Sequence, residues 1–143
     1  MKKFSLIITL VLIFNLVSFS QNSQKDIFFK DCSPTQFKMG LDTAHDYILI
    51  DLRSVKQYRR SRIKGALFAR DASDLFNVVK KTDKNKPIFI YCDEGDESLT
   101  ASALLMRRGY KKIYNLKEGV DAWYNEGYKL CKDRLYNTSF VNL

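Results

Sequence analysis

From Lys86 the chain runs Pro87-Ile88-Phe89-Ile90-Tyr91-Cys92, apolar at every position, and then turns abruptly to Asp93-Glu94-Gly95-Asp96-Glu97-Ser98. A continuous rather than alternating apolar run predicts a strand buried on both faces, as in a parallel sheet covered by helices. Ser98 through Arg108 carries helical spacing and is closed by Gly109. Tyr47-Ile48-Leu49-Ile50-Asp51-Leu52-Arg53 repeats the strand pattern and ends on charge. Ser54 is placed to cap a short helix through Tyr58, and Ile63-Lys64-Gly65-Ala66-Leu67-Phe68 leads into a third strand. A first strand is predicted over Asp26–Lys30, followed by a helix over Thr35–Leu41 that Pro34 opens and Ser33 caps. Further helices are predicted over Asp71–Lys81, with Leu75, Phe76 and Val79 facing the sheet, and over about Val120–Glu126, offering Val120, Trp123 and Tyr124. Strands alternating with helices read as parallel βαβ units, so the fold class is α/β.

This pattern puts Cys92 where a strand stops and a helix starts. Unpaired N–H groups and the positive end of the helix dipole there favour a thiolate, a persulfide or a bound anion. Four acidic side chains, Asp93, Glu94, Asp96 and Glu97, follow within five positions and oppose that effect. The other reading of Cys92 is a buried core thiol, since free cysteine is among the most buried residue types. Carboxyl ends of parallel strands share one edge of an open α/β sheet, which would bring Asp51, Arg53 and Cys92 together.

Three segments then resemble the rhodanese-like family. Leu49-Ile50-Asp51-Leu52-Arg53 through Ile63-Lys64-Gly65-Ala66 is similar to its aspartate-x-arginine to glycine-alanine block, and Tyr91-Cys92-x-x-Gly95 to its active-site loop. Gly109-Tyr110-Lys111-Lys112-Ile113-Tyr114-Asn115-Leu116 through Gly119 and Trp123 is similar to its closing block. The resemblance implies a three-layer α/β/α sandwich around a five-stranded, mainly parallel sheet, spanning residues 26–131. It also implies that Cys92 carries sulfane sulfur as a persulfide, with Asp93 to Ser98 as the substrate-binding loop. The departures fall at the site. Glu97 stands where active members place arginine or another donor-rich residue, and Ser98 where phosphatases of related fold end a loop one residue longer in arginine. Gln57 replaces the usual glutamate and leaves Arg53 without its expected carboxylate. Arg62 replaces a histidine, and Glu118-Gly119 a double glycine.

Met1-Lys2-Lys3 followed by an apolar run to Phe14, with Ser18 and Ser20 before Gln21, reads as a secretory signal over residues 1–20. Residues 21–25 then form a short linker and 132–143 a tail. A periplasmic or secreted protein with no stable membrane anchor after cleavage is expected. The remaining length supports one core and excludes a tandem two-domain arrangement. The net charge of +8 is scattered in clusters such as Arg59-Arg60 and Lys111-Lys112 that read as solvated helix faces, so no nucleic-acid partner is expected. An oxidising compartment invites pairing among Cys32, Cys92 and Cys131. In the resembled fold the chain ends lie on one side of the sheet, which makes Cys32 and Cys131 the candidate disulfide. His45 is the only histidine, and Cys92 with its neighbouring carboxylates mixes soft and hard ligands too close in sequence to surround one ion. Neither a metal nor another cofactor is expected.

Two functions remain. One is an exported sulfurtransferase working through a Cys92 persulfide with a small sulfur donor and acceptor or a thiol-bearing protein partner. The other is an inactive rhodanese-fold module whose acidic loop docks a basic protein or a cation. Like charges ~4 Å apart cost about 1 kcal/mol in water and about 4 at an effective dielectric near 20, so the loop's exposure decides between them. Arg53 and Arg62 are the candidates to compensate the acids.

Overall fold

The computed structural model of the protein describes residues 28–132. The expected signal segment, the linker and all of the tail but Lys132 lie outside the described residues. Five strands, β1 (Phe28–Cys32), β2 (Ile48–Asp51), β3 (Leu67–Phe68), β4 (Ile88–Tyr91) and β5 (Lys112–Leu116), form one sheet in the order β1-β5-β4-β2-β3 with every pairing parallel. The helices between them are α1 (Pro34–Thr43), α2 (Val55–Arg60), α3 (Ala72–Val79), α4 (Asp96–Arg107) and α5 (Gly119–Asn125).

The apolar strands lie at the centre because both their faces are covered. Leu49, Phe89, Tyr91 and Leu116 point into one core with Phe37 of α1 and Val120 and Trp123 of α5. Ile50, Ile88, Ile90 and Ile113 point into the other with Leu75 and Val79 of α3 and Ala101 and Leu105 of α4. That is the three-layer α/β/α sandwich. Phe89 anchors the first core, stacked on Tyr114 at 4.6 Å and edge-on to Phe37 at 5.2 Å. Helix starts follow local chemistry. Ser33 with Gln36, and Ser54 with Gln57, form reciprocal capping boxes, and Asp71 caps α3 through the Asp74 N–H.

β1 runs on to Cys32, two residues past the expected end at Lys30, while Asp26 and Ile27 lie outside the described residues. Its register against β5, from Phe28 opposite Lys112 to Cys32 opposite Leu116, takes in Lys30 and Asp31, charges that an edge strand accommodates on its open side. The expected Cys32–Cys131 bridge is not formed, and all three cysteines are thiols. Cys32 ends the edge strand β1. Cys131 pairs with Arg62, whose neighbours bond to groups at the ends of β2 and β4.

Strand order places the site. From β2 the chain proceeds outward to β3, then returns to β4 and proceeds the other way to β5. The order therefore switches between β2 and β4, and the crevice beyond their carboxyl ends is where open α/β sheets hold ligands. Asp51 ends β2 there and Cys92 follows β4.

Candidate active site

Cys92 is 3% exposed and its Sγ accepts from two backbone donors, the N–H of Gly95 at 3.1 Å and of Ser98 at 3.4 Å. Ser98 Oγ lies 3.3 Å from the sulfur and donates to Gly95 O at 3.0 Å. With that proton engaged, the neutral thiol donates to Ser98 Oγ. Once the thiol ionises, rotation of the hydroxyl turns it into a third donor to sulfur. Gly95 makes the turn possible. Its φ of 102° lies in the left-handed region, and a Cβ there would stand 2.8 Å from Glu118 N.

The loop rests on the start of α5. Val120 N–H donates to Cys92 O at 2.9 Å and Asp121 N–H to Asp93 O at 3.3 Å. The approach is close enough that a Cβ on Gly119 would sit 2.0 Å from Asp93 O. Glu118, just before it, adopts φ 64°, left-handed without being glycine.

Cys92, Asp93, Glu94, Asp96 and Glu97 line an open cavity of about 340 Å³. Glu94, Asp96 and Glu97 are exposed, so their repulsion of an anion on Cys92 falls toward the ~1 kcal/mol, water-like end of the range. Asp96 and Glu97 also occupy the first turn of α4, where carboxylates suit the helix dipole. Asp93 is the least exposed of the four, and its two oxygens each lie 2.9 Å from Gln57 Nε2.

The two arginines do not line the thiol's cavity. Arg53 is 6% exposed and is committed to Asp51, with Nη2 at 2.8 Å from Oδ2, and to Ser61 O. Burial works against its charge, but the hydrogen bonds and negative charge of Asp51 outweigh burial and hold its pKa above the ordinary value. Arg53 therefore has a carboxylate after all, supplied from its own motif two residues earlier. Arg62 lies over the Tyr58 ring at 4.5 Å and donates to Tyr58 O. Arg53 is thus paired first with Asp51, with the charge of Asp93 a weaker partner, and Arg62 stacks on Tyr58. Two contacts were hidden in the sequence. Tyr91 donates its hydroxyl to Asp51 at 2.7 Å, and Gln57 holds Asp93; for the second, only the Ser54-x-x-Gln57 capping signature pointed to a fixed side chain.

Residues 33–126 match the family described as the rhodanese-like domain. Over 78 residues the chain is 32% identical to the thiosulfate sulfurtransferase GlpE of Coxiella burnetii, spanning 54% of this chain and 72% of that protein. Among solved structures, the fold is similar to the Alr3790 protein from Anabaena sp. (TM-score 0.64, 20% identity, 72% of this chain and 83% of that one). It is also similar to a rhodanese-related protein from Thermoplasma volcanium (TM-score 0.61, 18% identity, 73% and 99%). At these identities the solved structures speak to the fold alone.

Proposed function

The chain belongs to the rhodanese-like domain family, and from that premise we propose that it moves sulfane sulfur from a donor to an acceptor through a persulfide on Cys92. The observation that carries this reading is the pair of N–H groups, from Gly95 and Ser98, aimed at Cys92 Sγ where the twelve-residue α4 begins. Likeness to a protein named as a thiosulfate sulfurtransferase supports the reaction class. In the first half-reaction the Cys92 thiolate attacks the outer sulfur of the donor. A sulfur–sulfur bond to Cys92 forms while the donor's bond to that sulfur breaks, and its electron pair leaves with the remainder of the donor. In the second, a thiol or another nucleophile takes the outer sulfur and the electron pair returns to Cys92 as thiolate. The two N–H groups and the Ser98 hydroxyl stabilise negative charge on sulfur at both ends of the cycle.

The acidic mouth sets the substrate class. Four carboxylates around the thiol favour a neutral or cationic donor, or a thiol-bearing protein with a basic flank, over the thiosulfate dianion. The basic start, apolar run and Ser18-Phe19-Ser20 support a reading in which the activity is exported, to a periplasm or outside the cell. The second reading, an inactive module that docks a basic protein or a cation, draws on the exposure of Glu94, Asp96 and Glu97.

Glu97→Arg separates the two readings. It exchanges a negative for a positive charge at the rim, and thiosulfate turnover should rise about tenfold, the equivalent of ~1.4 kcal/mol. Glu97→Arg combined with Cys92→Ser should be inert. A wild type and a Glu97→Arg variant that fold normally yet pass sulfur from neither thiosulfate nor an uncharged donor would leave the docking module standing.

A further inference from the structure

Gln57 faces two ways. Its Oε1 accepts from the Ser54 N–H at 3.1 Å and from Ser54 Oγ, closing the cap of α2, while its Nε2 meets both oxygens of Asp93. The orientation of the amide is thereby fixed, because the Ser54 N–H needs an acceptor and the Asp93 carboxylate needs a donor. A glutamate at this position would close the same capping box equally well. It would also set one carboxylate against another. The cap therefore does not explain why the side chain is an amide; Asp93 does.

We propose that Gln57 is a positioning residue for Cys92, holding the Asp93 side chain from the α2 side while α5 holds the loop backbone from the other. This rests on the sulfur-transfer reading above and deepens it. The Val120 and Asp121 N–H groups fix the carbonyls of Cys92 and Asp93, and the Gln57 amide fixes the first side chain after the thiol. Between these two anchors the N–H groups of Gly95 and Ser98 are kept on the sulfur. Gln57 also solvates, by hydrogen bonding, the least exposed carboxylate beside the thiol. Other charges face Asp93. Arg53 lies at the end of β2, Glu94 is next in the loop, and Arg60 of α2, Asp121 of α5 and Lys132 line the groove that Asp93 shares.

The test compares wild type, Gln57→Glu and Gln57→Glu with Asp93→Asn. Two quantities are read across pH: the rate at which iodoacetamide alkylates Cys92, followed on its own peptide, and kcat/KM for sulfur transfer. Gln57→Glu keeps the cap, so its melting temperature should stay close to wild type. At about pH 8 both rates should fall roughly tenfold, and the ratio to wild type should recover toward about pH 5.5 as the facing carboxylates share a proton. The double variant reverses the pair, with an amide in the loop donating to a carboxylate on α2, and should regain most of the loss at every pH. A deficit that does not change with pH, or no recovery in the double variant, would overturn the proposal. If wild type transfers no sulfur, the alkylation rates still decide the role of Gln57. If wild type transfers sulfur and Gln57→Glu matches it at every pH, the positioning role falls and sulfur transfer stands.

Discussion

Asp51 is wholly buried, and three groups share its carboxylate: the Arg53 guanidinium, the Arg53 N–H and the Tyr91 hydroxyl. Tyr91 in turn accepts from the Ile63 N–H at 3.1 Å, so one phenol ties the end of β4 to β2 and to the approach to β3. Burial first, and then the charge of Asp51, push the Tyr91 pKa well above its ordinary value of 10.0. The folded state thus binds the phenolic proton more tightly than the unfolded chain does. The contribution is fully present below the unfolded pKa and is lost as pH rises from about 10 toward the folded value, because only the unfolded chain releases the proton there. Denaturant titrations should show wild-type stability falling through that range more steeply than that of Tyr91→Phe. Parallel curves would contradict the buried phenol. That Asp51 and Arg53 gather at the strand edge was legible from the motif. Their mutual pairing was not, because residue types and spacing do not show which way a guanidinium turns when a carboxylate lies two residues back.

At the scale of elements, apolar runs and caps located β2, β4 and the helices to within a few residues, whereas β5 was legible only through the likeness of Gly109 to Leu116 to the family's closing block. Ser33, Ser54 and Asp71 cap the helices they precede, and β4 is buried at each of its four positions. The start of α4 came less cleanly. Ser98 looked like its first residue, but the helix begins at Asp96, since acidic residues in a first turn complement the dipole. The contact of the Cys92 loop with the start of α5 was out of reach, because it joins segments far apart in the chain and depends on the missing Cβ of Gly119. The two residues at that start predict opposite results. Glu118 adopts a left-handed conformation that costs a side-chain-bearing residue roughly 1 kcal/mol, so Glu118→Gly should stabilise the fold by about 0.5–1 kcal/mol. Gly119→Ala would drive a methyl into Asp93 O and should destabilise the fold and slow any reaction at Cys92. Melting temperatures of the pair check both; a stable Gly119→Ala with wild-type Cys92 reactivity would contradict the close approach.

The whole molecule gathers its chemistry at one point because the strand order reverses between β2 and β4, and the sequence shows that reversal only through its likeness to a known fold. The α/β class and the position of Cys92 came from the residues themselves, as pattern and helix end. The expected disulfide is not formed: Cys32 closes the edge strand β1, while Cys131 takes Arg62 as its backbone partner. The feature that decides function is electrostatic. Backbone donors converge on a thiol inside an acidic rim that water largely screens. The most direct test is to expose the full chain to a neutral sulfane donor and map, by peptide mass spectrometry, which cysteine gains the mass of one sulfur atom. Gain at Cys92, its loss on addition of a thiol acceptor and its absence in Cys92→Ser are the results expected. Gain confined to Cys32 or Cys131, or none at any cysteine in a folded protein, would contradict sulfur transfer through Cys92.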